Sequence, residues 1–209
     1  MAKFRRPAQI KPEQLEAIQG DGDVAYNSEL AHTSAQALLF HRDAEDDPEE
    51  AAIRGRVLEL VRAEGVDVIA ESWVRSPEDS LPGALWRGFL LREWIRRYPQ
   101  EVERRWDLAA AELESQGADG KQKLDMTPRP SEVKDAWDSV LGGEFTGELE
   151  EVLAKSARLT NTLGEVNPHW ISNDEHPLAT PVTRRDTALI QTSLEFREAG
   201  QQAARGLLH

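Results

Sequence analysis

The stretch that decides the fold is residues 80–97, SLPGALWRGFLLREWIRR. It holds two glycines and two tryptophans in an almost continuous apolar run, and Arg87 sits in its middle. Ser80 is well placed to cap a helix, and Pro82 fits a first turn because its missing N–H needs no partner there. The proline after Tyr98 must end or kink the helix. The stretch therefore predicts a central helix.

Arg87 projects onto the apolar side of this predicted helix. A guanidinium cannot be neutralised by losing its proton, and burying it unpaired is prohibitive, so it must meet an anion. The nearest carboxylates in sequence are Glu71 and Asp79, which predicts a structural ion pair. The alternative is a site for a small anionic ligand, formed by Arg87, Glu71, Asp79 and Trp94.

A group of arginines with interleaved aromatic side chains extends from the second half of this stretch into the next predicted helix. Aromatic rings among arginines can stack on single-stranded bases. Glutamates dilute this group, however, and favour a solvated helix face with i,i+4 ion pairs. The arginines are Arg92, Arg96, Arg97, Arg104 and Arg105.

The composition excludes several classes of protein. The 209 residues carry a formal net charge of -13, so their mean field repels nucleic acid and anionic membranes, and neither is expected as a partner. The sequence has no cysteine, which excludes disulfides, thiol nucleophiles and thiolate metal sites. No stretch approaches the ~20 apolar residues of a membrane span, and we expect a cytoplasmic protein.

The hydrophobic periodicity predicts an all-α fold, an irregular bundle of seven or eight helices. We expect a mobile N-terminal arm at residues 1–25 and a single helical domain at residues 26–209. A Gly- and Pro-containing linker divides this domain into sub-blocks at 26–116 and 130–209. The helices are predicted at about 27–41, 48–64, 67–75, 80–98, 99–115, 130–143, 146–164 and 186–207.

One long Pro-rich loop, residues 164–185, separates the last two predicted helices. Loops of this length are uncommon unless they are functional or disordered. Within it His169, Asp174, Glu175 and His176 have the side chains for a divalent metal site or an acid-base pair. A turn-rich connection has the same composition, so both interpretations stay open.

Two stretches, EGVDVIAESWVRSPEDSLPGALWRGFLLREWIRR and SVLGGEFTGELEEVLAKSARL, resemble a family of small all-helical actinobacterial proteins with no established biochemical function. The resemblance covers about half of the chain. It implies an all-helical cytoplasmic protein and transfers no catalytic residue.

Functional motifs are scarce in this sequence. It has no G-x-S-x-G, P-loop, dinucleotide glycine pattern or H-E-x-x-H, and we expect no cofactor. Six tryptophans and a stripe of Trp94, Ile95 and Tyr98 favour association with another protein, most simply as a homodimer. We therefore predict a protein-protein interaction or regulatory module without catalytic activity. The alternative is an anionic-ligand-binding or metal-dependent protein that uses Arg87 and the loop at residues 169–176.

Overall fold

The computed structural model describes residues 21–39, 48–165 and 186–209. These residues are 82% helical and include no strand, which confirms the predicted all-α class. Within this part of the chain, no helix has the length and apolar character that crossing a membrane requires. The helices in chain order are α1 (Asp21–Leu39), α2 (Pro48–Glu64), α3 (Asp67–Trp73), α4 (Leu81–Arg97), α5 (Pro99–Ser115), α6 (Ala118–Asp125), α7 (Pro130–Leu141), α8 (Leu149–Glu165) and α9 (Asp186–Ala204).

Several helix boundaries lie where local signals predict them. The hydroxyl oxygen of Ser80 accepts a hydrogen bond from the backbone N–H of Gly83 at 3.2 Å, which caps the start of α4. That helix ends at Arg97, before the Tyr98-Pro99 pair. Helix α2 begins at Pro48 and is followed by Gly65 with φ 93°, a conformation that favours glycine. The capping and breaking signals are therefore confirmed.

Two boundaries differ from the prediction. Helix α1 begins at Asp21 rather than near residue 27, within the predicted N-terminal arm, and residues 1–20 of that arm lie outside the described part of the chain. Helix α6 lies inside the predicted linker. A glycine in a helix costs only about 1 kcal/mol, which tertiary packing can offset. In α6 it is also required, because a Cβ on Gly120 would lie 1.9 Å from the carbonyl oxygen of Leu113.

The core is centred on α4, which contacts α1, α3, α5, α7 and α9. Its closest approach is to α7, where the indole ring of Trp137 lies directly over Gly88. The most extensive contact between described helices is the pair α8 and α9, which run antiparallel: Gly164 lies against Ile190, and Gly200 lies against Leu153. The inward face of α9 carries four buried residues: Leu189, Thr192, Phe196 and Ala199.

The stripe that favoured self-association turns inward. Trp94 and Ile95 are each 4% exposed and belong to the core, and Tyr98 packs against it. Because the bundle buries these side chains itself, the stripe gives no support to the predicted homodimer. The oligomeric state itself stays a prediction.

Candidate functional site

Arg87 is held by carboxylates on two sides. Its Nε donates to the carboxylate of Glu195 on α9, and its Nη1 donates to the carbonyl oxygen of Gly83 at 2.9 Å. Its Nη2 lies 3.4 Å from a carboxylate oxygen of Glu78. The arginine side chain is only 13% exposed. The predicted structural ion pair is therefore confirmed.

The predicted partners of Arg87 are wrong. Glu71 and Asp79 are both exposed, and the ion pairs described for Arg87 are with Glu78 and Glu195. Glu195 follows Arg87 by 108 residues and reaches it because α9 packs beside α4. Neighbours in sequence offered no guide to this long-range contact.

The other predicted site residues fall into two groups, of which the structure describes one. Trp94 is 4% exposed and lies among the apolar side chains of the core. The metal candidates His169, Asp174, Glu175 and His176 lie outside the described residues. Among the residues that are described, no group of three or more His, Asp or Glu side chains is arranged to hold a metal ion.

An open cavity of about 320 Å³ adjoins the Arg87 ion pairs. Glu78 and Asp79, from the turn before α4, form one wall, and Glu195 and Glu198 of α9 form the other. We call these four residues the acidic cleft. Among the described residues, these four carboxylates outnumber the guanidinium of Arg87, which pairs with two of them, and this leaves an excess of negative charge. The arrangement attracts cations and repels anions.

A second charged cluster on α4 surrounds a buried carboxylate and extends to α7. Glu93 is 3% exposed and accepts hydrogen bonds from Arg92, Arg96 and Arg97. Burial raises the pKa of Glu93, but the hydrogen bonds from Arg96, Arg97 and Arg92, together with the charge of Arg96, outweigh burial and lower this pKa to about 2. Glu93 is therefore a fixed negative charge inside a ring of arginines.

The link to α7 runs through Asp138. Its carboxylate accepts from Nε of Arg92 at 2.6 Å and from Nζ of Lys134 at 2.6 Å. Burial raises the pKa of Asp138, while the hydrogen bonds from Lys134 and Arg92 lower it further than burial raises it. These contacts satisfy the charges of one another, so the cluster fastens two helices rather than presenting a free basic surface.

The predicted solvated arginine face is confirmed for Arg96 and Arg97, whose side chains are 51% and 41% exposed and pair with Glu93 at i,i+3 and i,i+4. The prediction is wrong in two places. The first is Glu93 itself, which is buried. The second is Arg105, which is 1% exposed and donates from Nε to the carbonyl oxygen of Leu163 at 2.6 Å. Arg104 is exposed, as predicted. The helical period alone does not show which polar face a later helix will cover.

Sequence reasoning missed three of the four residues of the acidic cleft. One signal was available, because Glu195 and Glu198 have the i,i+3 spacing that places two carboxylates on one side of a helix. This side of α9 borders the face that carries the buried residues Leu189 and Phe196. No pattern in the sequence joins that side to the turn before α4.

No protein-family model, no curated protein and no solved structure matches this chain. The resemblance to actinobacterial helical proteins therefore stays a prediction. The function has to be argued from the geometry of the acidic cleft.

Proposed function

We propose that the protein is a non-catalytic helical module that binds another protein. The acidic cleft is the contact surface, and its occupant is a basic segment of the partner. The observation that supports this proposal is the opposition of Glu78 and Asp79 on one wall to Glu195 and Glu198 on the other. In the described part of the chain, the ion pairs place Arg87 against these carboxylates, so their like charges are only partly balanced.

The electrostatics favour a cationic occupant. Carboxylates held around one cavity repel each other, and a lysine or arginine side chain between them replaces this repulsion with attraction. The volume of about 320 Å³ lies at the lower end of the roughly 300–1,000 Å³ typical of ligand pockets. It suits one or two side chains of a partner better than an extended cofactor.

The geometry gives less support to the alternative, an anionic ligand on Arg87. Nε, Nη1 and Nη2 of this arginine all face acceptors on Glu195, Gly83 and Glu78. A ligand anion would have to displace one of these acceptors and then remain beside the other carboxylates. The negative carboxylates around Arg87 would therefore repel such an anion both as it approaches and once it is bound.

The chain also contains a basic segment of the kind that the cleft would accept. Lys3, Arg5, Arg6 and Lys11 fall within its first eleven residues. A second copy is therefore one candidate partner, which keeps the homodimer as part of the proposal. Light scattering that gives the mass of a monomer at tens of micromolar would remove self-association and leave a different protein as the partner.

The test of the proposal is the affinity of a decalysine peptide for matched variants. Asp79→Asn with Glu198→Gln removes two cleft charges and keeps the ion pairs of Arg87 with Glu78 and Glu195. The control, Glu114→Gln with Glu132→Gln, removes two exposed carboxylates elsewhere. We expect the cleft variant to bind about tenfold more weakly, since ~1.4 kcal/mol corresponds to a factor of ten.

The control decides between a site and a general charge effect. If the proposal holds, the control variant binds decalysine as the parent does and keeps the same salt dependence. Equal weakening in both variants would show that the peptide responds only to the net charge of -13. No binding by the parent protein at low salt would also overturn the proposal.

A further inference from the structure

The residues that follow α9 turn back onto the bundle. Gly206 has φ 66°, its N–H donates to the carbonyl of Ala203, and the N–H of Leu207 donates to the carbonyl of Gln202, both at 2.9 Å. This pair of bonds is the Schellman pattern that closes a helix and reverses the chain. As a result Leu207 is 58% exposed, whereas Leu208 is 6% exposed and joins the core.

The next residue reaches the start of α4. The carbonyl oxygen of His209 accepts a hydrogen bond from the backbone N–H of Leu81 at 2.8 Å. This N–H belongs to the first turn of the helix, where no intrahelical acceptor exists. Leu81 directly follows Ser80, whose hydroxyl donates to the carbonyl of Pro77 at 2.7 Å. The contact therefore fixes the end of the turn that carries Glu78 and Asp79.

Both walls of the acidic cleft meet at this contact. One wall is the turn before Leu81, and the other is α9, whose end leads through Gly206 to His209. We propose that residues 206–209 form a clasp that holds the two walls together, and that release of the clasp opens the acidic cleft. The inference concerns the free protein and does not require the proposed function.

The charges of the cleft provide the force that the clasp resists. Glu78 and Asp79 repel Glu195 and Glu198 across the cavity, and this repulsion strengthens as salt is removed because screening weakens. Two ties oppose it: Arg87, which contacts a carboxylate of each wall, and the clasp. With the clasp released, Arg87 and the apolar packing of α9 on the bundle still hold the walls, but the walls separate more readily at low ionic strength.

The test is amide hydrogen exchange at residues 78–81 in three variants. Leu208→Ala removes the buried anchor of the clasp, and Leu207→Ala is the matched control at the exposed neighbour. Gly206→Ala is a second way to weaken the clasp: its Cβ would meet nothing within 4 Å, but φ 66° strains any side chain. It serves if Leu208→Ala fails to fold.

The inference expects exchange at residues 78–81 to become at least about tenfold faster in Leu208→Ala or Gly206→Ala, which corresponds to ~1.4 kcal/mol of opening free energy. The acceleration should be larger at low salt than at high salt, and Leu207→Ala should exchange as the parent does. Amides of α8 report global unfolding and should change less. Unchanged exchange at residues 78–81 in a folded clasp variant, or an equal rise in α8, would overturn the inference.

Discussion

At the scale of single residues, Arg87 is stabilising only while its carboxylates are in place. Its side chain is 13% exposed and that of Glu195 is 15% exposed, so each would be costly to leave unpaired. The pair joins α4 to α9 across 108 residues of sequence. The net contribution of this ion pair to stability is smaller than the stability lost when one partner is removed. The reason is that both groups lost their water when the pair formed.

We expect Arg87→Met to lower the free energy of unfolding by about 3–5 kcal/mol, because it strands the carboxylate of Glu195. Adding Glu195→Gln should restore at least ~1 kcal/mol of this loss. Adding Glu71→Gln instead should restore nothing, because Glu71 is exposed. Urea denaturation of the single and double variants measures these differences. Recovery with Glu71→Gln but not with Glu195→Gln would show that the assigned partner is wrong.

Glu93 gives the protein a dependence on acid pH. Its pKa is about 2 in the folded protein against an ordinary value of 4.5, so the folded form stays ionised where the unfolded form takes up a proton. Its contribution is therefore complete above pH 4.5 and declines as the pH falls toward 2, by roughly 3 kcal/mol in total. Glu93→Gln should flatten the stability profile in this window.

The control for this measurement is Glu112→Gln, which changes an exposed carboxylate. Its stability should fall between pH 5 and pH 3 as steeply as that of the parent. Denaturant melts at four or five pH values provide the profiles. If Glu93→Gln keeps the steep profile of the parent, another carboxylate is responsible and the Glu93 cluster does not act as described.

At the scale of elements, the close contact between α4 and α7 depends on Gly88. A Cβ there would lie 2.3 Å from the ring of Trp137, which is itself fully buried. Gly88→Ala should therefore destabilise the protein by about 1–3 kcal/mol through overpacking. Gly55→Ala is the matched control in α2: nothing lies within 4 Å of its Cβ, and the change should stabilise by about 0.5–1 kcal/mol.

Thermal melts of these two alanine variants test the contact. The two changes in melting temperature should have opposite signs. The added methyl group would clash with the Trp137 ring at residue 88, whereas it would meet nothing within 4 Å at residue 55. Equal stabilisation at both positions would mean that α4 and α7 do not approach as closely as the structure places them.

Helix ends were the most predictable part of the fold. Ser80, Pro48 and Gly65 act on backbone groups within a few residues of themselves, so their effect can be read locally. Helix α6 was not predicted, because glycine is typical of linkers. The close approach of Leu113 that requires glycine at residue 120 is visible only in the structure. Local patterns carry no information about a neighbour brought in by packing.

The candidate site was less predictable for the same reason. That Arg87 needs an anion follows from its charge and its place on an apolar face, and this was correct. Which carboxylate it meets depends on how α9 docks on α4, and this was beyond reach of the sequence. The burial of Glu93 was likewise not predicted, because it depends on tertiary packing around α4 rather than on the helical period.

At the scale of the whole molecule, most of the strongest charge clusters serve the fold. The Glu93 cluster joins α4 to α7, and Lys123 on α6 pairs with Glu165 at the end of α8. The acidic cleft differs because, among the described residues, its four carboxylates outnumber the one guanidinium that pairs with them. This imbalance is the reason for proposing a basic partner.

The most direct test of this claim is a map of amide chemical shifts in the parent protein during titration with decalysine. We predict that the largest changes fall on residues 76, 78–80 and 195–198, in and beside the two walls of the acidic cleft, and that these changes saturate together. Changes spread evenly over exposed carboxylates such as Glu112 and Glu132, without saturation, would contradict it.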